Sequence, residues 1–162
     1  MRNRDRFLTS LPLFHVGALT PAMGCVYLGI TQVILETFDP KLSWELIRDE
    51  KITSTLMVPA MLQFMLATYD KGAHDVGTLR WIMSGAAPVP VTLIEAYAKL
   101  GIEIHQVYGL TESCGPACLI GPDDAIAKAS PNQSRAIFEP LSRCAESQSV
   151  RGSARRAGNF RS

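Results

Sequence analysis

Three short segments concentrate the residues able to do chemistry: Leu11-Pro12-Leu13-Phe14-His15, Ser84-Gly85-Ala86-Ala87-Pro88 and Tyr108-Gly109-Leu110-Thr111-Glu112. The third is the most pointed. A tyrosine ring offers a stacking face, a threonine hydroxyl can hydrogen-bond a phosphate oxygen, and a glutamate can hold a hard cation such as Mg²⁺. Together they suit a base, a phosphate and its metal. The same residues also suit a plainer role, with Tyr108 packed in the core at a strand end and Thr111-Glu112 opening a helical turn. In Ser84 to Pro88, small side chains let a ligand approach the backbone, although a tight turn after a strand needs small residues as well. His15 can face a ligand or be satisfied by a backbone carbonyl. His74 and His105 belong to no such segment and read as a surface loop and a strand position. Cys114 and Cys118 are too few for a metal and read as ordinary buried thiols.

The elements that must position these segments follow from hydrophobic periodicity. Strand-like runs occur at Phe7–Leu11, Thr31–Leu35, Ile52–Val58, Leu79–Met83 and Ile102–Val107, with a short sixth candidate at Ala117–Ile120. Between them lie helical patterns. Residues 15–29 form the first, where Pro21 must sit in a first turn or kink the helix, and Gly29 ends it. Asp39-Pro40 opens the second, since Asp accepts orphan N–H groups and Pro suits the first helical position. Leu42, Leu46 and Ile47 mark its expected inner face. Pro59 opens the third, with Leu62, Met65, Leu66 and Tyr69 at i, i+3, i+4 and i+7. Pro90 opens the fourth, with Leu93, Ile94, Tyr97 and Leu100 on one face and Gly101 past its end. Alternating strands and helices predict an α/β fold: a mainly parallel sheet with flanking helices. In such sheets ligands bind beyond the carboxyl ends of the strands. Leu11, Met83 and Val107 each close a strand-like run, so His15, Gly85 and Tyr108 should share one sheet edge and face an open cleft.

Composition bounds the rest. The 162 residues are 47% hydrophobic and 19% charged, with a net charge of +1, which excludes a wholly disordered or collagen-like chain and a dedicated nucleic-acid binder. Four cysteines are too few for a disulfide scaffold, so a reducing, cytoplasmic setting is expected. The basic start Met1–Arg6 followed by the apolar Phe7–Leu35 resembles a signal peptide or a transmembrane start. Pro12, His15, Pro21 and Gln32 interrupt it, so no transmembrane segment is expected. Character changes along the chain. Residues 1–128 have a net charge of −3, whereas residues 129–162 reach +4, with seven Ser and no Lys. The expected division is therefore a body at 1–128 and, from Ala129, a Ser/Arg-rich tail too poor in apolar residues to order itself.

Gln106-Val107-Tyr108-Gly109-Leu110-Thr111-Glu112 resembles the YGxTE signature of the adenylate-forming, AMP-binding superfamily of acyl-CoA synthetases. Leu11 to His15 resembles the family's segment of Pro, a hydrophobic residue and His, and Ser84 to Pro88 its GGAP loop. All three stand in family order, about 70 and 20 residues apart, over roughly residues 5–128. The continuation Thr111-Glu112-Ser113-Cys114-Gly115 is similar to that of fatty-acid–CoA ligases. The resemblance implies a partial N-terminal adenylate-forming domain whose intact relatives use ATP, Mg²⁺ and coenzyme A to turn a fatty acid, through its acyl-adenylate, into acyl-CoA and AMP. It implies that Tyr108 stacks on adenine, with Gly109 beside it. The Ser84-Gly85-Ala86-Ala87-Pro88 backbone would border adenine and acyl chain. Thr111 would meet the α-phosphate or the carboxylate, Glu112 would hold Mg²⁺, and His15 would stand at the acyl mouth.

The family's phosphate loop, which precedes the first motif, and its downstream TGD aspartate and catalytic lysine are not matched here. The expectation is a fragment not competent alone, ending in a tail that a reading-frame change would explain. Its partners would be a small-molecule acyl substrate and a nucleotide. Two other readings stand beside it: a free-standing α/β module that binds a nucleotide or acyl group, and an unrelated structural α/β domain.

Overall fold

The first four apolar runs become strands with trimmed ends, and the last two lengthen into a hairpin. The computed structural model describes residues 4–120, and the expected boundary at Ala129 with the tail beyond it lies outside them. The order is β1 (Arg6–Thr9), α1 (Val16–Leu28), β2 (Thr31–Ile34), α2 (Pro40–Asp49), β3 (Ser54–Met57), α3 (Pro59–Thr68), β4 (Trp81–Ser84), α4 (Val91–Ala98), β5 (Glu103–Leu110) and β6 (Gly115–Ile120). One sheet of order β2-β1-β3-β4-β5-β6 holds them all. Strands β1 to β5 pair in parallel and β6 pairs antiparallel to β5. The parallel α/β expectation is met, and the candidate at Ala117–Ile120 becomes a hairpin partner that starts at Gly115.

Alternation along the strands divides the side chains between two faces. Leu8, Met57, Ile82 and Ile104 join Trp44, Leu62, Met65, Ile94 and Tyr97 in the larger core under α2, α3 and α4. Phe7 and Leu56 turn the other way and pack with Cys25 of α1, against Trp81 and Met83. A buried ring needs a partner for its polar atom. Trp44 Nε1 donates to the Met65 carbonyl (2.8 Å) and the Tyr97 hydroxyl to the Leu62 carbonyl (2.9 Å), tying α2 and α4 to α3. Burial pushes the pKa of the Tyr97 hydroxyl upward. At the amino edge of the sheet Arg6 pairs with Glu50 and Arg80 with the buried Asp5.

Several expectations shift. In α2 the inner face is Ser43, Trp44 and Ile47, and Leu42 is exposed, because the indole's bond to Met65 rotates the helix toward α3. Pro21 lies inside α1, buried. It removes one N–H from a helix that continues past it to Gly29. Among the described thiols only Cys25 is buried; Cys114 is exposed and Cys118 half-buried, since the β5–β6 hairpin stands at the open edge of the sheet. His105 lies on β5 as expected. His74, in its loop, is half-buried and stacked on Trp44 at 6.0 Å. No helix among the described residues is long and apolar enough to cross a membrane; Phe7–Leu35 resolves into β1, α1 and β2.

Candidate functional site

The three segments converge at the carboxyl edge of the parallel strands. His15 follows β1, Ser84 ends β4 and leads into Gly85–Pro88, and Tyr108–Glu112 spans the end of β5 and the turn into β6. A cleft of about 680 Å³ lies between them. His15, Ser84, Ala86, Ala87, Pro88, Tyr108, Gly109, Thr111 and Glu112 all line it. The remaining candidate, Gly85, does not.

Each position has a local cause. His15 is the N-cap of α1: its Nδ1 accepts the Gly17 N–H at 3.2 Å, and its own N–H bonds the Pro12 carbonyl at 2.9 Å. The side chain is thus held by the helix terminus while it remains exposed at the cleft mouth. Gly85 is buried under β5, where an added Cβ would meet the Val107 carbonyl oxygen at 2.4 Å. Strand packing, not ligand approach, requires a glycine there. Ala86 turns the chain upward with φ of 68°, a left-handed conformation that is uncommon for a residue with a Cβ. That twist presents the exposed Ala86, Ala87 and Pro88 to the cleft.

Tyr108, Gly109 and Leu110 are strand residues, not loop residues, because β6 folds back against them. The ladder slips between Tyr108, opposite Cys118, and Gly109, opposite Pro116. Ala117 is therefore the extra residue of a bulge, a device that re-aims neighbouring side chains. Tyr108 is 36% exposed, so its ring is a cleft wall rather than a core residue. Thr111 and Glu112 sit in a turn, not a helix, and are fully on the surface. Among the described residues Glu112 has no ion-pair partner, and no group of three or more His, Cys, Asp or Glu converges as a metal site. One free carboxylate fits a cation that shares its shell with water and phosphate, as Mg²⁺ does, and not an all-protein cage.

Sequence reasoning passed over Gln106. It lines the cleft with Ser84, its register partner across β4–β5. Both are buried, and neither Ser84 Oγ nor Gln106 Nε2 has a hydrogen-bond partner. Such groups are costly unless something satisfies them, so they mark a polar floor. The signal was available: Gln106 precedes Tyr108 by two residues on one strand and so shares its face. The rest of the described lining is apolar, from Val16, Val89, Val107, Leu110 and Ile120, and no lysine or arginine is among the described residues there.

Fold and cleft define an α/β protein of the class that takes small-molecule ligands at the carboxyl edge of its sheet. The chain belongs to the AMP-binding enzyme family, which it matches over residues 1–143. It is 40% identical over 129 residues to the long-chain-fatty-acid–CoA ligase FadD13 of Mycobacterium tuberculosis, an alignment covering 80% of this chain and 26% of that one. The inhibitor-bound N-terminal domain of FACL13 from the same organism superposes with a TM-score of 0.76 at 40% identity, covering 80% of this chain and 32% of that one. The o-succinylbenzoate coenzyme A synthetase MenE of Bacillus subtilis, solved with ATP and magnesium, gives 0.73 at 28% identity, covering 79% and 26%. The chain thus spans about a quarter of the length of the curated relatives it matches.

Proposed function

We propose that these residues form the nucleotide- and acyl-facing part of an ATP-dependent acid–thiol ligase that activates an apolar carboxylic acid as its acyl-adenylate and transfers it to coenzyme A. The observation that supports this reading best is convergence: a histidine, an exposed tyrosine ring, a threonine and an unpaired glutamate line one largely apolar cleft. Tyr108 supplies the stacking face for adenine, with the Ala86-Ala87 backbone beside it. Ser84 and Gln106 offer polar atoms that a bound ligand can satisfy. Thr111 donates its hydroxyl to the α-phosphate or the substrate carboxylate. Glu112 holds Mg²⁺, which when bound offsets the phosphate charge that otherwise repels an attacking carboxylate. His15, fixed as a helix cap, stands where the acyl group enters. The apolar walls favour a fatty or aryl acid over a charged one. The long-chain fatty-acid ligase among the relatives named above fits that preference.

Among the described residues that line it, the cleft has no lysine or arginine to meet the triphosphate or the charge that develops at the α-phosphorus. Removing one strong electrostatic stabiliser typically costs about 10²–10³ in rate. We therefore read the 162 residues on their own as binding nucleotide without sustaining turnover, in a reducing, cytoplasmic setting. Equilibrium dialysis with labelled ATP tests the site: Mg²⁺-dependent retention is expected, lost in Glu112→Gln and weakened in Tyr108→Ala. Retention indifferent to both substitutions would refute the assignment. ATP–pyrophosphate exchange with a fatty acid tests competence, and robust exchange abolished by Glu112→Ala would overturn the inactive reading.

A further inference from the structure

The turn that bears Thr111 and Glu112 projects from an edge hairpin, so something must hold it in place. Within the turn, Ser113 Oγ accepts the Leu110 N–H at 2.9 Å and lies 2.9 Å and 2.7 Å from the Leu110 and Gly115 carbonyl oxygens, one of which takes its proton. These contacts fix the shape of the turn but not its place. Its place depends on α1. Thr20 Oγ1 donates to the Cys114 carbonyl oxygen at 3.4 Å, across 94 positions of the chain. Gly115, at φ of 115°, rests so closely on the same side chain that a Cβ there would come within 2.7 Å of Thr20 Oγ1 and 3.1 Å of its Cγ2. One threonine side chain thus bonds the last residue of the turn through its hydroxyl and abuts the glycine that follows, its hydroxyl oxygen the nearest atom there. Thr20 lies five positions after His15 on the helix that His15 caps. The two walls of the cleft are therefore referenced to one rigid element.

We propose that Thr20 is a positioning residue: it seats the β5–β6 turn on α1 and so fixes Glu112 and Thr111 relative to His15. The proposal rests on the reading of Glu112 and Thr111 as ligand groups. The Glu112 carboxylate has no ion-pair partner of its own among the described residues, so the backbone of the turn determines where it stands. Without Thr20 the hairpin end is free to pivot at the bulge between Tyr108 and Gly109.

The test compares Thr20→Val, which keeps the shape and removes the O–H, with Thr20→Ser, which keeps the O–H, in the full 162-residue chain. Amide hydrogen exchange reads the seating without any ligand. Thr20→Val should exchange at least tenfold faster across residues 111–115, with α1 and β4 unchanged, while Thr20→Ser stays within about twofold of the parent. The Mg²⁺ concentration for half-maximal ATP retention should rise at least threefold in Thr20→Val, with metal-free retention unaltered. Unchanged exchange in the turn, or faster exchange spread over α1 and β1 as well, overturns the proposal. If Glu112→Gln leaves the Mg²⁺ dependence intact, the metal reading fails instead, and the exchange data still decide on Thr20.

Discussion

At Gly85 and Ala86, adjacent residues meet opposite demands, and each can be tested by one change of side chain. A Cβ added at Gly85 would stand 2.4 Å from the Val107 carbonyl oxygen, so Gly85→Ala must push β4 and β5 apart. A loss of about 2–3 kcal/mol is expected in urea melts, at the upper end of overpacking costs. Trimming Val107 to Ala should rescue it only in part, because it removes the Cγ1 clash at 2.8 Å but leaves the tighter one with the carbonyl oxygen. Ala86, at φ of 68°, is held where an L residue is strained by about 1–2 kcal/mol. Glycine relieves this but raises the entropy of the unfolded chain by roughly 0.5–1 kcal/mol. Ala86→Gly should therefore raise the urea midpoint slightly, and Ala86→Val should lower it. Thiol chemistry separates a third set. Cys25 is 1% exposed and burial raises the pKa of its thiol, whereas Cys114 is exposed on the hairpin turn. Thiolates react, not thiols. Brief alkylation of the native chain, mapped by mass spectrometry, should mark Cys114 before Cys118 and leave Cys25 untouched until denaturant is added.

Among the elements, those with a local signal were legible and those set by tertiary contact were not. Asp39-Pro40 is the clear case: Asp39 Oδ1 accepts the Leu42 N–H at 2.8 Å and Pro40 begins the helix, as the two residue types require. Asp39→Ala should cost about 1 kcal/mol and Asp39→Ser only a few tenths, read as a shift in urea midpoint at constant slope. Strand positions were legible because β-like runs alternate with helical patterns, and the shared carboxyl edge followed from parallel connection. The face of α2 was misread at Leu42 because the Trp44 indole bonds to a carbonyl 21 residues away, which no local period reports. Cysteine is among the most buried residue types, which points Cys114 and Cys118 inward. The antiparallel return of β6 and its bulge put them at an edge. The same hairpin made strand residues of Tyr108, Gly109 and Leu110, which read as a loop from glycine and turn chemistry alone. In the site, the convergence of the three segments on one cleft was legible from their places at strand ends. Gln106 was not, because a buried amide without a partner is a property of the packed cleft, visible only once β4 lies beside β5.

Over the whole molecule the two faces of the sheet are unequal. Among the described residues three helices cover one face, while α1 alone packs on the other, at its Phe7, Cys25 and Leu56 cluster. Helix α1 has no charged residue in its thirteen positions, and it leaves Met23, Val26 and Tyr27 at 64%, 81% and 88% exposure, with Phe14 just ahead of it at 91%. A helix that is apolar all round belongs inside a larger body, and a contiguous patch of this kind promotes association when uncovered. Its stability in this chain comes from the inward Ala18, Pro21 and Cys25, not from the outward residues. Charging the outward face should therefore leave folding intact. The triple change Met23→Glu, Val26→Lys and Tyr27→Glu is expected to keep the urea midpoint within about 0.5 kcal/mol of the parent, as surface substitutions usually do. It should also reduce binding of an environment-sensitive apolar dye and suppress light scattering at high protein concentration. A large fall in midpoint would show that these side chains hold the helix to the sheet. Unchanged scattering would place the adhesive surface elsewhere, with the exposed Leu119 on edge strand β6 as the next residue to charge.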